Sequence, residues 1–173
     1  IIEAKTDIDK IFVIVNNSTH REQIEEALGT CNFGSIGLCV VHEFNEEEID
    51  IKRGPAKTIV AGLDLIRSRY QEDVEVLVHL SDSLFKATDI KSMFFEKCAC
   101  VGTQLVDDQK RWCVVDKDNR FHNKPTENIQ GAEALSGLYK FRLSSIDIQR
   151  AVFCDQESQI SDLLLTINDH IEL

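Results

Sequence analysis

Ile11 to Val15 (IFVIV) is an unbroken apolar run dominated by β-branched residues. Such side chains pack well on a pleated surface and are restricted in a helix, so the run predicts a strand. The polar NNST follows, and then REQIEEALG, whose apolar positions recur at helical spacing until Gly29 closes the pattern. This predicts a helix ended by a glycine.

The same rhythm repeats downstream. Ile36 to His42 (IGLCVVH) reads as a second strand, followed by the acidic loop FNEEEID. Gly54 and Pro55 then open a helix with Ile59, Leu63 and Ile66 on its apolar face. Val74 to Leu80 (VEVLVHL) is a third strand, stopped by Ser81-Asp82-Ser83, and Thr88 to Phe95 a short helix. Cys98 to Thr103 (CACVGT) is a fourth strand. Strands alternating with helices predict a Rossmann-like α/β fold, with a mainly parallel sheet flanked by helices on both faces.

From Arg111 the pattern changes. RWCVVDKDNRF predicts two short strands joined by the turn Lys117-Asp118-Asn119, and ALSGLYKFRL predicts another strand with a Ser-Gly interruption. These predict a small antiparallel extension beside the sheet. In the tail, Ile160, Leu163, Leu164 and Ile167 predict a helix over 158–171. No repeat, low-complexity tract or linker divides the chain, so a single domain over 1–173 is expected.

Composition narrows the classes of function. The 173 residues, 43% of them apolar, suffice for a sizeable core. The net charge of -11, with no Lys/Arg cluster longer than two, disfavours nucleic acid as a partner. No apolar run approaches the roughly 20 residues that span a bilayer, and IIEAKTDIDK lacks the features of a signal peptide. A soluble, cytoplasmic protein with no membrane partner is expected, and homo-oligomer formation stays open. Six cysteines form no C-x-x-C pair and five scattered histidines no H-x-x-x-H pair, so neither a disulfide framework nor a zinc cluster is expected.

The candidate chemistry gathers at strand ends and loops. Ligands of open α/β sheets bind beyond the carboxyl ends of strands, where Asp82 lies after Leu80. An aspartate there can ligate a hard cation such as magnesium or simply cap a turn. In RGPAKTI, Gly54, Pro55 and Ala56 form a helix start whose free N–H groups favour anions, although Gly-Pro is also ordinary punctuation. Lys124, before a proline, can neutralise a phosphate or be solvated. Gly137 marks either a bulge or the close passage of a ligand. G-x-S-x-G, Walker and dinucleotide-binding motifs are absent.

Taken in order, RGPAKTIVAGLDLI, VEVLVHLSDSLF, CVGTQLVDDQKRWCVVDKDNRF, NKP and ALSGLYKF resemble the nucleotidyltransferases that make nucleotide sugars from a nucleoside triphosphate and a sugar 1-phosphate. The resemblance runs from about Ile11 to Leu165 and implies the nucleotide-diphospho-sugar transferase type of fold. It implies that Gly54, Pro55 and Ala56 lie near the nucleotide, with Pro55 in place of the usual threonine. Asp82 would be the strand-end aspartate that binds Mg2+. Lys124 would hold the sugar phosphate, with Asn123 standing where the family has glutamate. Gly137 would line the sugar, and Cys113 replaces a glycine that packs beneath it, so its side chain would reshape that pocket.

The resemblance has gaps. The family's opening strand with the loop G-x-G-T-R-x-x-P-K has no counterpart in 1–173, nor does its second metal-binding aspartate. The domain is therefore expected to be incomplete at both ends. Two other readings follow: a catalytically incomplete domain that binds a nucleotide or nucleotide sugar as a sensor or scaffold, and a glycosyltransferase. The last lacks its Asp-x-Asp, because Ser83 and Leu84 follow Asp82.

Overall fold

The computed structural model describes residues 10–15, 18–30, 37–42, 54–70, 73–80, 83–96, 99–146, 160–165 and 171–172. The first β-branched run forms β1 (Lys10–Val15), and the helical pattern after it forms α1 (Ser18–Gly29). β2 (Gly37–His42) pairs with β1 in parallel, from Lys10 opposite Gly37 to Val15 opposite His42. This is the predicted β-α-β unit.

α2 (Gly54–Arg69) spaces Ala56, Ile59, Val60 and Leu63 along one side and buries all four. Gly62 lets it settle onto β1, since a Cβ there would lie 3.0 Å from Ile14 Cγ1. The Arg69 guanidinium stands 5.7 Å from the centre of the Phe12 ring, within cation–π range.

The larger sheet contains β3 (Glu75–His79), β4 (Ala99–Gln104), β5 (Cys113–Val115), β6 (Phe121–Asn123), β7 (Glu133–Arg142) and β8 (Ile171–Glu172). β7 is its centre and is buried from Ala134 to Phe141. Along one edge it pairs with β4. Along the other it pairs with β3 through its carboxyl half and with β5 through its amino half. All three pairings are antiparallel.

This corrects the expectation of a mainly parallel sheet. Among the described residues, parallel pairing is confined to β1–β2 and to the two residues of β8 beside β4. ALSGLYKFRL does form the expected strand, but in the middle of the sheet rather than in an extension of it. Period-two patterning identifies a strand without naming its partners, and the continuous burial of β7 on both faces suits a central place. The predicted hairpin is present: β6 pairs with β5 across a turn containing Asn119 at φ 60°.

The tail also differs from expectation. The described helical residues form one short helix, α4 (Ile160–Leu164), while Ile171 belongs to a strand. A hydrophobic spacing that continues to Ile167 cannot reveal that the sheet claims Ile171.

The two faces of the larger sheet are covered differently. α2 and α4 pack on one face, where Leu63, Val76, Val101, Tyr139, Phe141, Leu163 and Leu164 share the main core. α3 (Ala87–Phe95) covers the other with Ile90 and Met93 on Cys100 and Leu138. Among the described residues no helix is long and apolar enough to cross a membrane.

Candidate active site

β3 and β5 lie end to end along the same edge of β7. β3 runs from Glu75 opposite Arg142 to His79 opposite Leu138, and the Leu80 amide then donates to the Gly137 carbonyl at 2.9 Å. β5 resumes with Val114 opposite Ala134. Ser136 and Leu135 thus lie between the stretches of β7 held by the two strands. The sheet edge opens where β3 stops, as at the carboxyl strand ends where α/β proteins bind ligands.

Gly137 shapes this opening. Between the pairs Val101–Tyr139 and Thr103–Leu135, the single residue Gly102 of β4 faces Ser136, Gly137 and Leu138 of β7. This is a bulge, and Gly137 absorbs it at φ 91°, a conformation open to glycine and strained for other residues. A Cβ on Gly137 would lie 3.2 Å from both Leu80 Cβ and Ser83 Oγ. Of the two readings drawn from the sequence, the bulge is present, and it brings β7 against the end of β3.

The β5–β6 hairpin carries three of the candidate residues. Asn123 is the register partner of Cys113, and the Lys124 amide donates to the Trp112 carbonyl at 2.9 Å. Lys124 follows β6 with φ 46° and an exposed side chain. Asp116 stiffens the hairpin: its Oδ1 accepts from the Asp118 and Arg120 amides at 2.9 and 3.0 Å, and its Oδ2 lies 2.8 Å from His122 Nε2. The His122 contact and those amides hold the Asp116 carboxyl at about 2, below its ordinary 3.8.

Cys113 is half-buried against the main core. Burial pushes its thiol up from 9.0, the Ser161 hydroxyl opposes that shift, and the Asp162 charge adds to it. The thiol is therefore a weak nucleophile at neutral pH.

The remaining candidates, Gly54, Pro55 and Ala56, lie on α2. Its last turn meets the far end of β3, where Arg67 donates to the Leu143 carbonyl at 3.2 Å and the Leu143 amide to Val74 at 3.0 Å. Gly54, Pro55 and Ala56 open this helix of 16 residues. Ala56 itself is in the core at 1% exposure, so any ligand contact there falls to backbone N–H groups.

Asp82 lies outside the described residues. On either side of the pair 81–82, the Ser83 amide donates to the Leu80 carbonyl at 3.4 Å, beside the Gly137 bulge. Among the described residues there is no group of three or more His, Cys, Asp and Glu placed to hold a metal ion. Sequence reasoning missed Gly102 and Ser136, which face each other across the bulge. The signals were a glycine inside the strand pattern CVGT and the Ser-Gly interruption of ALSGLYKFRL.

These elements define a mixed α/β protein whose sheet opens beside its central strand β7, where β3 stops. No protein-family model matches the chain, and no curated protein sequence does. Solved structures do. HddC from Yersinia pseudotuberculosis matches 98% of this chain with 70% of its own, at TM-score 0.60 and 15% identity. A UDP-glucose pyrophosphorylase complexed with UDP-glucose matches 94% with 69% of its own, at 0.53 and 16%. The inositol-1-phosphate CTP transferase from T. maritima matches 95% with 70% of its own, at 0.60 and 17%. At these identities the likeness establishes the fold alone, which this chain shares with the three solved structures.

Proposed function

We propose that this chain is the nucleotidyltransferase part of an enzyme that joins a nucleoside triphosphate to a sugar 1-phosphate or a related phosphorylated alcohol, releasing pyrophosphate. The observation that carries this reading is the meeting of three elements at the sheet opening: the end of β3 before Asp82, the Gly137 bulge, and the hairpin with Cys113, Asn123 and Lys124. The shared fold with two solved enzymes named for this chemistry supports it.

In this reaction a phosphate oxygen of the sugar 1-phosphate attacks the α-phosphorus in line, and the bond to pyrophosphate breaks. The attacking group is already ionised, so no general base is needed. The protein's part is positioning and charge neutralisation. Lys124 provides a mobile cation for the sugar phosphate. At the start of α2 the backbone N–H groups of Gly54 and Ala56, but not of Pro55, which has none, would offer donors and a partial positive charge to the nucleotide phosphates. Gly137 and Asn123 offer backbone and amide contacts to the sugar, with Cys113 narrowing the space beneath it.

A hard cation such as magnesium takes one or two carboxylates and completes its shell with substrate phosphate and water. Asp82 would supply such a carboxylate, and the ion would contribute charge neutralisation. The test is pyrophosphate release by the full chain with magnesium, each triphosphate and a panel of sugar 1-phosphates. Asp82→Asn is expected to reduce turnover by about 100-fold or more. Equal turnover in the variant removes Asp82 from the mechanism, and no release with any pair rejects the reading.

A further inference from the structure

The loop between β6 and β7 begins at Lys124 and ends at Ala132, and a buried glutamine from another segment fastens it. Gln109 opens a 3-10 turn, Gln109–Arg111, just before β5 and is 6% exposed. Its Oε1 accepts from the Ile129 amide at 2.7 Å, and its Nε2 donates to the Ile129 and Ala132 carbonyls, each at 3.1 Å. Asn128 answers in the other direction. Its Oδ1 accepts from the Gln109 amide at 3.1 Å, and its Nδ2 donates to the Asp107 carbonyl at 2.8 Å.

The start of the loop is tied to the same segment. The Lys124 amide donates to the Trp112 carbonyl, and the Trp112 amide donates to the Gln109 carbonyl at 3.0 Å. Lys124 holds φ 46° directly before Pro125. A lysine stays in that left-handed region only when its surroundings over-determine it. Pro125 has no N–H with which to tie the loop locally, so the restraint comes from the 107–112 segment.

We infer that Gln109 is a positioning residue for the sugar phosphate: it fixes the far end of the loop and so holds Lys124 where the phosphate meets it. This role rests on the nucleotidyltransferase reading. A glutamine suits it because one side chain must both accept from an amide and donate to two carbonyls. Without it those buried backbone groups lose their partners and draw the loop toward water.

The test varies the sugar 1-phosphate and the triphosphate separately in the pyrophosphate-release assay of the full chain. Gln109→Met keeps the length of the side chain and loses its three hydrogen bonds. The KM for the sugar 1-phosphate is expected to rise about tenfold, and that for the triphosphate to stay within about twofold. Partial loss of folded protein would instead lower kcat and leave both KM values alone. Asn128→Ala, at an exposed side chain, should give the same pattern at about threefold, and it decides the matter if Gln109→Met does not fold. In a Lys124→Ala background either substitution should add less than about twofold, because its effect passes through that lysine. An unchanged KM for the sugar 1-phosphate, an equal rise for the triphosphate, or a full effect without Lys124 would overturn this role while leaving the proposed function standing. A parent chain that releases no pyrophosphate with any pair rejects the proposed function, and this role with it.

Discussion

The two faces of the larger sheet make an informative contrast. Beneath α2 and α4 the surface is apolar, and side chains such as Leu63, Phe141, Leu163 and Leu164 are shut off from water. Beneath α3 the apolar cluster is small, the Ser136 hydroxyl has no partner among the described residues, and Lys140 is 2% exposed. The Lys140 ammonium donates to the Glu96 carbonyl and lies 3.5 Å from Glu75. Apolar burial is the main favourable term in folding, whereas buried polar groups at best break even. The first face anchors the fold, and the second keeps space and unsatisfied chemistry.

The largest effect expected from this contrast is on the anchored face. Leu63→Ala empties a fully buried position and should cost about 2–5 kcal/mol, read by urea denaturation. A cost below 1 kcal/mol would show that α2 is not held as described. Next comes the junction between the faces. Gly137→Ala places a side chain at φ 91° against Leu80 and Ser83, and should cost about 1–3 kcal/mol. If the bulge serves the proposed site, pyrophosphate release should fall further than the stability loss explains.

Ser136→Ala lies near zero. Removing a hydroxyl that has no partner among the described residues should leave stability within about 0.5 kcal/mol of the parent or raise it. A loss of 2 kcal/mol would mean that the hydroxyl is paired in the free protein, and the contrast between the faces would weaken.

The smallest effect concerns pH. Asp116 has its carboxyl lowered from 3.8 to about 2, so its contribution is complete above 3.8 and is lost as pH falls through 2. Side-chain NMR should place its titration near 2. Asp116→Asn should remove that acid-limb dependence and loosen the hairpin around Asn123 and Lys124.

Much of the fold was legible because its signals are local. The β-branched run at Ile11, the helical spacing that ends at Gly29, the Gly-Pro start of α2 and the turn at Asp118-Asn119 all report backbone preferences within a few residues. Each element formed close to where its pattern lies. The candidate residues were legible by type and position in the same way. Glycine inside an apolar strand announced an irregularity at Gly137, and the structure supplies a bulge.

By itself, then, the sequence determined most of the strands and helices outside the tail, the -11 charge and the positions of the chemistry-bearing side chains. Only the tertiary structure decided how they combine. β7 takes the centre and runs antiparallel to β3, β4 and β5, Ile171 leaves the tail's helical pattern for the edge of β4, and Ser136 meets Gly102 across the bulge. The physical reason is range. Hydrophobic period and turn chemistry act over a few residues, whereas strand pairing joins segments tens of residues apart through backbone hydrogen bonds that every residue except proline can make. Those bonds carry no sequence code, so partner and direction are settled by which arrangement buries the apolar faces together.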